Sequence, residues 1–304
     1  MKFAAIDIGS NAVRLLLSNV FINNGTTSFK KAELVRIPLR LGDDSFLNGK
    51  ISPEKVEKLI TSMKAFKLLI DVYDAIDYRA CATSAMRDAE NRWDIIERVR
   101  KEAGIKIEII DGKTEADIIY SNHIEEHLDI NSSYLYIDIG GGSTEITLYS
   151  KNKAVVSQSF NIGTIRMLHN KIDKEYWNYF KGWVREITNG YSPLIAIGSG
   201  GNINKIFKMS GRKPDKFLTT SKLKGIHEML ESYTYDERIQ LLGLNPDRAD
   251  VIVPASKILL SVLKHAQIEK MIVPQIGLSD GMVHQLYEKD KEKKSGGLPT
   301  NNNS

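Results

Sequence analysis

One short pattern occurs twice in this chain of 304 residues, and it constrains the fold more than any other feature. Residues 3–8 and 134–139 are both apolar runs that end in Asp-Ile, which places Asp7 and Asp138 at matching positions. A glycine-containing turn follows each run, and a second strand-like segment follows each turn. Repetition of a whole strand-turn-strand unit is typical of an internal duplication. The sequence therefore predicts two similar α/β halves.

Each half is expected to open with three antiparallel strands, because short polar turns separate strand-like runs. Helices then alternate with strands, which indicates parallel β-α-β crossovers, and Ser52-Pro53 is a typical helix start. The predicted strands are residues 3–8, 13–20, 29–41, 76–83, 105–110, 134–139, 145–149, 154–160 and 194–197. The predicted helices are residues 53–70, 89–103, 114–127 and 174–189, and further helices reach residue 289.

The boundary between the halves is expected near residues 121–125. We predict an N-terminal domain at residues 1–122 and a C-terminal domain at residues 123–289, whose last helix could pack back on the first domain. Residues 290–304 begin with a charged run and continue with Ser, Gly, Pro, Thr and Asn. That composition predicts a frayed helix end and a disordered tail, which we place at residues 290–304.

Composition excludes several classes of protein. No apolar run reaches 18 residues and no leader pattern opens the chain, so we expect a soluble, unexported, cytoplasmic protein with no membrane partner. Cys81 is the only cysteine, which excludes an intrachain disulfide and a multi-cysteine zinc site, and we expect it to be buried. The net charge of +4 suits an anionic ligand but lacks the excess typical of nucleic-acid binding, so no specific nucleic acid is expected as a partner.

The glycine turns indicate phosphate binding. Glycine lets the backbone approach a ligand closely, and successive N–H groups form a site for phosphate oxygens. A third polar glycine turn lies at residues 198–202. A single such turn would equally fit a purely structural role, but recurrence after Asp7 and Asp138 favours a shared ligand site between the halves.

Several segments resemble, in order and spacing, the motifs of the exopolyphosphatase/guanosine pentaphosphate phosphatase family. They are Ala5-Ile6-Asp7-Ile8-Gly9-Ser10-Asn11 with Arg14, residues 82–89 (Ala-Thr-Ser-Ala-Met-Arg-Asp-Ala), Glu115-Ala116, residues 137–145 (Ile-Asp-Ile-Gly-Gly-Gly-Ser-Thr-Glu), residues 244–250 and residues 277–281. The resemblance covers about residues 3–287. It implies a short-form member within the actin, Hsp70 and sugar-kinase superfamily. The implied fold is α/β, with two ribonuclease H-like (actin-like ATPase) domains facing each other across a cleft.

The resemblance also implies an activity and a site. The expected reaction is metal-dependent hydrolysis of the terminal phosphoanhydride of inorganic polyphosphate, which releases orthophosphate; the alternative substrate is guanosine pentaphosphate (pppGpp), at its 5′ γ-phosphate. Glu115 falls on the family's catalytic base, and Asp138, Glu145 and Asp7 are the expected ligands of Mg²⁺ or Mn²⁺. The resemblance and the glycine turns together predict these phosphate-binding residues: Asp7, Gly9, Ser10, Asn11, Ser84, Arg87, Gly140, Gly141, Gly142, Ser143, Thr144, Gly198, Ser199 and Gly200.

These residue types suit the chemistry. A carboxylate can polarise an attacking water, carboxylates hold hydrated Mg²⁺, and an arginine fork clamps phosphate. Each also has an ordinary structural reading. Glu115 would be at home as a solvated residue in the first turn of a helix, and either aspartate could cap its own turn. Arg87 could instead pair with Asp88 or Glu90.

The chain departs from the family pattern around the expected base. Lys113 and Thr114 stand where an acidic residue usually comes before the glutamate, and Asp117 stands where an arginine usually follows it. Ala12 replaces a common serine, and Ser279 a frequent arginine. The chain is also expected to end its ordered part near residue 290, where longer members continue into helical domains, so extra grip on a polymer would have to come from a homodimer or be absent.

Two further classes of function stay open at this point. One is a phosphotransferase or ATPase of the same superfamily, and the other is a non-catalytic module that binds an alarmone or polyphosphate. A groove of Lys and Arg running away from Glu115 would favour the polymer as substrate. A base-stacking pocket near residues 198–202 would favour the nucleotide.

Overall fold

The computed structural model describes residues 1–24, 26–122, 129–151, 153–213 and 216–295. Two mixed sheets organise it, and the order of strands near the centre of each is the same. The first sheet has the order β3-β2-β1-β4-β5 and the second β10-β11-β9-β6-β7-β8. The predicted fold class, two ribonuclease H-like α/β halves across a cleft, is confirmed.

In the first half, strands β1 to β3 pair antiparallel, and β4 and β5 add to β1 in parallel. The strands are β1 (Lys2–Ile8), β2 (Val13–Asn23), β3 (Thr26–Ile37), β4 (Asp77–Ala82) and β5 (Ile107–Ile109). The helices are α1 (Leu41–Asn48), α2 (Pro53–Val72), α3 (Ser84–Asp88), α4 (Arg92–Ala103) and α5 (Gly112–Tyr120).

In the second half, β6 to β8 repeat the antiparallel start, and β9 and β11 extend it in parallel. The strands are β6 (Ser133–Ile139), β7 (Thr144–Ser150), β8 (Lys153–Phe160), β9 (Leu194–Ser199), β10 (Leu218–Thr219) and β11 (Lys270–Ile272). The helices are α6 (Thr164–Leu168), α7 (Lys174–Thr188), α8 (Gly201–Met209), α9 (Thr220–Ser232), α10 (Tyr235–Gln240), α11 (Pro246–Ala249), α12 (Ile252–His265) and α13 (Leu278–Ser295).

Each sheet has its own apolar core, and the two define a first lobe (the first sheet with α1–α4) and a second lobe (the second sheet with α6–α12). The helix that starts at Ser52-Pro53 shows why the first core forms. Ser52 has an extended backbone and Pro53 occupies the first helical position. Apolar residues at helical spacing, including Ile60, Met63 and Phe66, are then buried together with the strands.

Helices α5 and α13 lie between the lobes and pack closely on each other. They share a third apolar cluster with residues of β1 and β6. A Cβ on Gly281 of α13 would lie only 1.8 Å from the carbonyl oxygen of Ile118 on α5, so this approach requires glycine. Asn122, just beyond α5, donates a hydrogen bond to the carbonyl of Gly277, just before α13, at 3.2 Å. The last helix therefore returns to the first sheet, where Gln285 accepts a hydrogen bond from Arg79.

Several expected boundaries were wrong. Strand β3 ends at Ile37 rather than residue 41, because Arg40 adopts a left-handed conformation (φ 51°) and Leu41 starts α1. Ser84 and Arg87, expected at a strand end, lie on the short helix α3. Helix α13 runs through Ser295, so residues 290–295 are helical rather than part of a disordered tail.

Two expectations are met only in part. Helix α5 ends at Tyr120, while residues 123–128 of the helix expected to reach residue 127 lie outside the described residues. Residues 296–304 of the expected tail also lie outside them. Within the described ranges, no helix combines the length and apolarity needed to cross a bilayer.

Candidate active site

Pairing register places charged residues side by side on the first sheet. Asp7 on β1 lies opposite Arg14 on β2, and Arg14 lies opposite Arg36 on β3. The Arg14 guanidinium donates to Asp7 Oδ2 at 2.7 Å. Arg36 forms an ion pair with Asp247 of the second lobe. This set, Asp7-Arg14-Arg36, is called the first row below, and it carries one more positive than negative charge.

The matching register on the second sheet is acidic. Asp138 on β6 lies opposite Glu145 on β7, and Glu145 lies opposite Ser159 on β8. Ser159 Oγ donates to Glu145 Oε1 at 2.7 Å, and Ser199 Oγ on β9 donates to Asp138 Oδ1 at 3.0 Å. This set, Asp138-Glu145-Ser159, is called the second row, and it holds two carboxylates with no arginine between them.

Glu115 joins the second row from a helix. The Asp111 side chain caps α5 by accepting from Thr114 N at 2.7 Å, which places Glu115 in the first turn. One carboxylate oxygen from each of Glu115, Asp138 and Glu145 lies within 4.8 Å of the others, and these three residues are called the acidic group. Glu115 is 8% exposed, so the reading of it as a solvated surface residue is wrong.

Burial and mutual repulsion favour protons on these carboxyls. Burial is the largest cause of a pKa of Glu115 well above its ordinary range, and the nearby Glu145, Asp138 and Asp7 add to it. Burial likewise raises the pKa of Asp138 to about 6, and burial with the charge of Asp138 raises the pKa of Glu145 to about 7. A bound cation would offset this repulsion.

The residues present fit a hard divalent cation. Glu115 Oε2 and Glu145 Oε2 are buried and have no hydrogen-bond partner within the described part of the chain. Carboxylate oxygens with unused capacity are the donors that Mg²⁺ and Mn²⁺ prefer. Asp7 lies outside this acidic group, because Arg14 holds its carboxylate. The structure therefore groups Glu115 with Asp138 and Glu145, where the sequence predicted Asp7 in the third place.

The glycine turns of both halves line one cleft beside the acidic group. Gly9 N donates to the Ala12 carbonyl at 3.1 Å, and Gly140 N donates to the Ser143 carbonyl at 2.9 Å, so the two turns match. The predicted residues that line the cleft are Asp7, Gly9, Ser10, Asn11, Ser84, Glu115, Asp138, Gly140, Gly141, Ser143, Ser199 and Gly200.

Other predicted residues lie behind the lining. Arg87 Nη1 donates to the Ile110 carbonyl at 2.8 Å, so its guanidinium supports the strand before α5. Thr144 Oγ1 donates to the Ile162 carbonyl at 2.5 Å. Gly142 packs against Ser84 and Phe46 of the first lobe. Gly198 packs against Met271 and Ile203. Glu145 lies next to Asp138 in the second row.

Sequence reasoning did not select several basic or polar residues that line the cleft: Arg14, Arg36, Thr83, Thr164, Asn202 and Arg248. The pKa of Arg248 is lowered to about 10, first by burial and then by repulsion from Arg36 and Arg14. Within the described ranges, its guanidinium has no hydrogen-bonding or ion-pair partner. Such an arginine is suited to an anion. Arg248 lies in the motif segment at residues 244–250, so the resemblance offered a signal for it as a cleft residue. The position of Arg36 is revealed only by the pairing register of β2 and β3.

Ion pairs and hydrogen bonds hold the lobes together around the cleft. Arg40 Nη1 lies 2.8 Å from Asp250 Oδ2 in an ion pair, and His169 Nε2 lies within hydrogen-bonding distance of Asp43 Oδ1, at 2.9 Å. The Arg166 guanidinium pairs with Asp88. Its Nε also donates to the Gly142 carbonyl at 2.8 Å, which ties the second glycine turn to the first lobe.

The departures around Glu115 mostly face away from the cleft. Lys113 and Asp117 are exposed on α5, on the side opposite the buried Glu115. The backbone N–H of Thr114 donates to the Asp111 side chain that caps α5. Ala12 does line the cleft, and Ser279 is buried at the start of α13.

Comparisons with known proteins find relatives along almost the whole chain. A bifunctional 3-dehydroquinate synthase/phosphatase from Fusobacterium nucleatum is 30% identical over 312 residues, and the match spans 94% of this chain but 46% of that protein. Exopolyphosphatase 1 of Mycobacterium bovis is 23% identical, with 96% of this chain and 90% of that protein covered. A guanosine-5′-triphosphate,3′-diphosphate pyrophosphatase from Photobacterium profundum is 25% identical, with 94% and 59% covered.

The fold comparison is equally extensive. The crystal structure of an exopolyphosphatase from Cytophaga hutchinsonii matches with a TM-score of 0.83 at 23% identity, over 95% of this chain and 98% of that one. At this identity the match shows a shared fold. The model of the Ppx/GppA phosphatase family matches residues 33–290. The chain belongs to the Ppx/GppA phosphatase family.

Proposed function

We propose that the protein is an exopolyphosphatase that removes terminal phosphates from inorganic polyphosphate with the help of Mg²⁺ or Mn²⁺. The observation that carries this proposal is the pairing of a buried acidic group with an arginine-lined cleft. Arg14, Arg36 and Arg248 line it, and no aromatic side chain is found among the described residues that line it. A run of arginines suits repeated phosphates, whereas a purine would benefit from stacking.

In this proposal the glycine turns bind the terminal phosphate through backbone N–H groups. The arginines neutralise the phosphates behind it, which lowers the cost of developing negative charge. When bound, Mg²⁺ or Mn²⁺ would neutralise further charge, held by Asp138 and Glu145 beside Glu115. Polyphosphate needs little covalent help from an enzyme, because its anhydride already provides a good leaving group.

Glu115 is proposed as the general base. Its Oε2 has no hydrogen-bond partner among the described residues, so it can accept one from an attacking water. A base works best when its pKa is near the working pH, and burial and neighbouring carboxylates shift the pKa of Glu115 upward in that direction. The proton taken from water would thus reside on a carboxyl that is shielded from bulk solvent.

The test is phosphate release from long-chain polyphosphate with Mg²⁺, comparing wild type with Glu115→Gln. We expect the variant to bind polyphosphate and to lose about 10²–10⁴-fold in kcat. Asp117→Asn is the matched control, since it removes an exposed carboxylate from the same helix. It should keep the wild-type rate.

Parallel substrates separate the alternatives. Hydrolysis confined to guanosine pentaphosphate would make the nucleotide the substrate in place of the polymer. The similarity to the Photobacterium profundum pyrophosphatase keeps this alternative open. Transfer of phosphate from ATP to an added acceptor would indicate a phosphotransferase. Binding of polyphosphate without release of phosphate by the wild type would contradict the proposal and favour a sensor.

A further inference from the structure

The structure assigns Ser159 a positioning role: it orients Glu145 and seats the start of α5, and so sets the spacing of the acidic group that binds the cation. This inference rests on the proposed function only in taking that group to be a cation site. Ser159 lies on β8, outside the glycine turns themselves. It is a positioning residue, since it acts through Glu145.

The hydrogen bond fixes one oxygen and leaves the other available. Ser159 Oγ donates to Glu145 Oε1 at 2.7 Å, and the two residues are directly opposed in the β7–β8 ladder. Glu145 Oε2 is buried without a partner in the described ranges, and a carboxylate oxygen of Glu145 lies within 4.8 Å of Glu115 and Asp138 oxygens. Groups that hydrogen-bond to metal-binding side chains in this way orient them, and losing one typically weakens metal affinity.

The same serine determines where α5 begins. A Cβ built on Gly112 would lie 2.2 Å from Ser159 Cβ and 2.3 Å from Ser159 Oγ, so the helix start rests directly on this side chain. The same Cβ would be 3.5 Å from Glu145 Oε1. Glu115 follows Gly112 by one turn of α5. Ser159 therefore acts on two of the three carboxylates: it hydrogen-bonds to Glu145 directly, and it contacts Gly112 at the start of the helix that carries Glu115.

The chain offers a matched control two residues away. Ser157 is on the same strand and the same face, and its Oγ lies 2.8 Å from Thr147 Oγ1 on β7. Ser157→Ala and Ser159→Ala thus each remove one cross-strand hydroxyl hydrogen bond from the same face of β8. Only the second faces a carboxylate of the acidic group.

The experiment measures Mn²⁺ binding to the purified full chain by calorimetric titration, without substrate. We expect Ser159→Ala to weaken Mn²⁺ binding about tenfold and Ser157→Ala to stay within about twofold of wild type. Both variants should lower the melting temperature only slightly, since each loses one hydroxyl hydrogen bond. Equal Mn²⁺ affinities for the two variants, or no Mn²⁺ binding by wild type, would overturn the inference.

A second pair of variants tests the steric part. Gly112→Ala should weaken Mn²⁺ binding in the wild type but have no further effect in a Ser159→Gly background, where the colliding atoms are gone. Additive losses would overturn this part.

Hydrolysis assays on the same proteins separate this inference from the proposed function. If wild type hydrolyses no phosphoanhydride while Ser159→Ala selectively loses Mn²⁺ affinity, the proposed function fails and the positioning role stands. If hydrolysis is normal and Ser159→Ala binds Mn²⁺ as wild type does, the positioning role fails.

Discussion

The two central sheet regions share one backbone arrangement and carry opposite charge at the matching register. Where the first row has Arg14 opposite Asp7, the second row has Glu145 opposite Asp138. The outer position is Arg36 in one and Ser159 in the other. The duplicated backbone thus provides two equivalent places beside one cleft, and side-chain identity alone makes one suited to anions and the other to a cation.

The largest effect should come from removing the acidic character of the second row. Glu145→Gln keeps the shape and removes one negative charge. We expect loss of Mn²⁺ binding and a fall in phosphate release of about 10²–10³-fold, while the metal-free protein melts at a higher temperature because a buried repulsion is gone. Mn²⁺ titration, phosphate release and thermal melting measure these. Glu33→Gln, an exposed carboxylate on β3, is the control, and a lowered melting temperature for Glu145→Gln would contradict the repulsion argument.

The next effect concerns the pairing in the first row. Arg14→Gln leaves the buried Asp7 carboxylate without its cation, so we expect a loss of about 2 kcal/mol in the free energy of unfolding and weaker polyphosphate binding. Adding Asp7→Asn should restore stability but not affinity, because Arg14 itself faces the cleft. Denaturant unfolding and polyphosphate titration separate the two roles. Recovery of both by the double variant would show that Arg14 serves only Asp7.

A pH series should reveal the second row without any substitution. The pKa values of Asp138 and Glu145 are raised to about 6 and about 7 in the folded protein. Protonation of these two carboxyls therefore stabilises the folded protein fully below about pH 4, and this stabilisation is lost as the pH rises through 6 to 7. A shift of two pKa units in one carboxyl changes the free energy of unfolding by about 3 kcal/mol.

The melting temperature of the metal-free protein should therefore decline between pH 5 and 8 by several degrees. Mn²⁺ should reverse most of this decline, and reverse more of it at the higher pH. Glu145→Gln should flatten the curve. A melting temperature that rises over this range in wild type but not in the variant would contradict the assignment.

The smallest effect tests a difference at the start of the helices that follow each third strand. Thr164 N donates to Gly140 O, and its Oγ1 is buried without a partner in the described ranges. At the corresponding place the first half has the apolar Leu41. Thr164→Val should raise the free energy of unfolding by about 1 kcal/mol, and it should weaken orthophosphate binding a few-fold if the hydroxyl faces the ligand. Thr164→Ser should bind like wild type, and equal binding by all three proteins would exclude such a contact.

Local pattern was enough to predict the twin strands, the turns after Asp7 and Asp138, and the burial of Cys81. It did not predict that Arg36 and Ser159 complete the two rows, because strand register depends on pairings between distant segments. Short helices such as α3 also escaped prediction, since their few residues carry little periodic signal. Glu115 takes the place expected for Asp7 because Arg14 pairs with Asp7 across the β1–β2 hairpin and because α5 packs on β7 and β8, a contact between segments distant in sequence.

The packing of α5 on α13 has a mechanical consequence. The chain passes between the lobes twice, once after α5 and once before α13, and the Asn122–Gly277 hydrogen bond joins the two passages. Helix α13 packs on β1, β2 and β4 of the first sheet, and α5 packs on β7 and β8 of the second, so the contact between these two helices joins the cores of both lobes. Because Glu115 is carried on α5, its distance from Asp138 and Glu145 depends on how α13 fits against the first sheet. A substitution in that distant contact would therefore act on the acidic group without touching it.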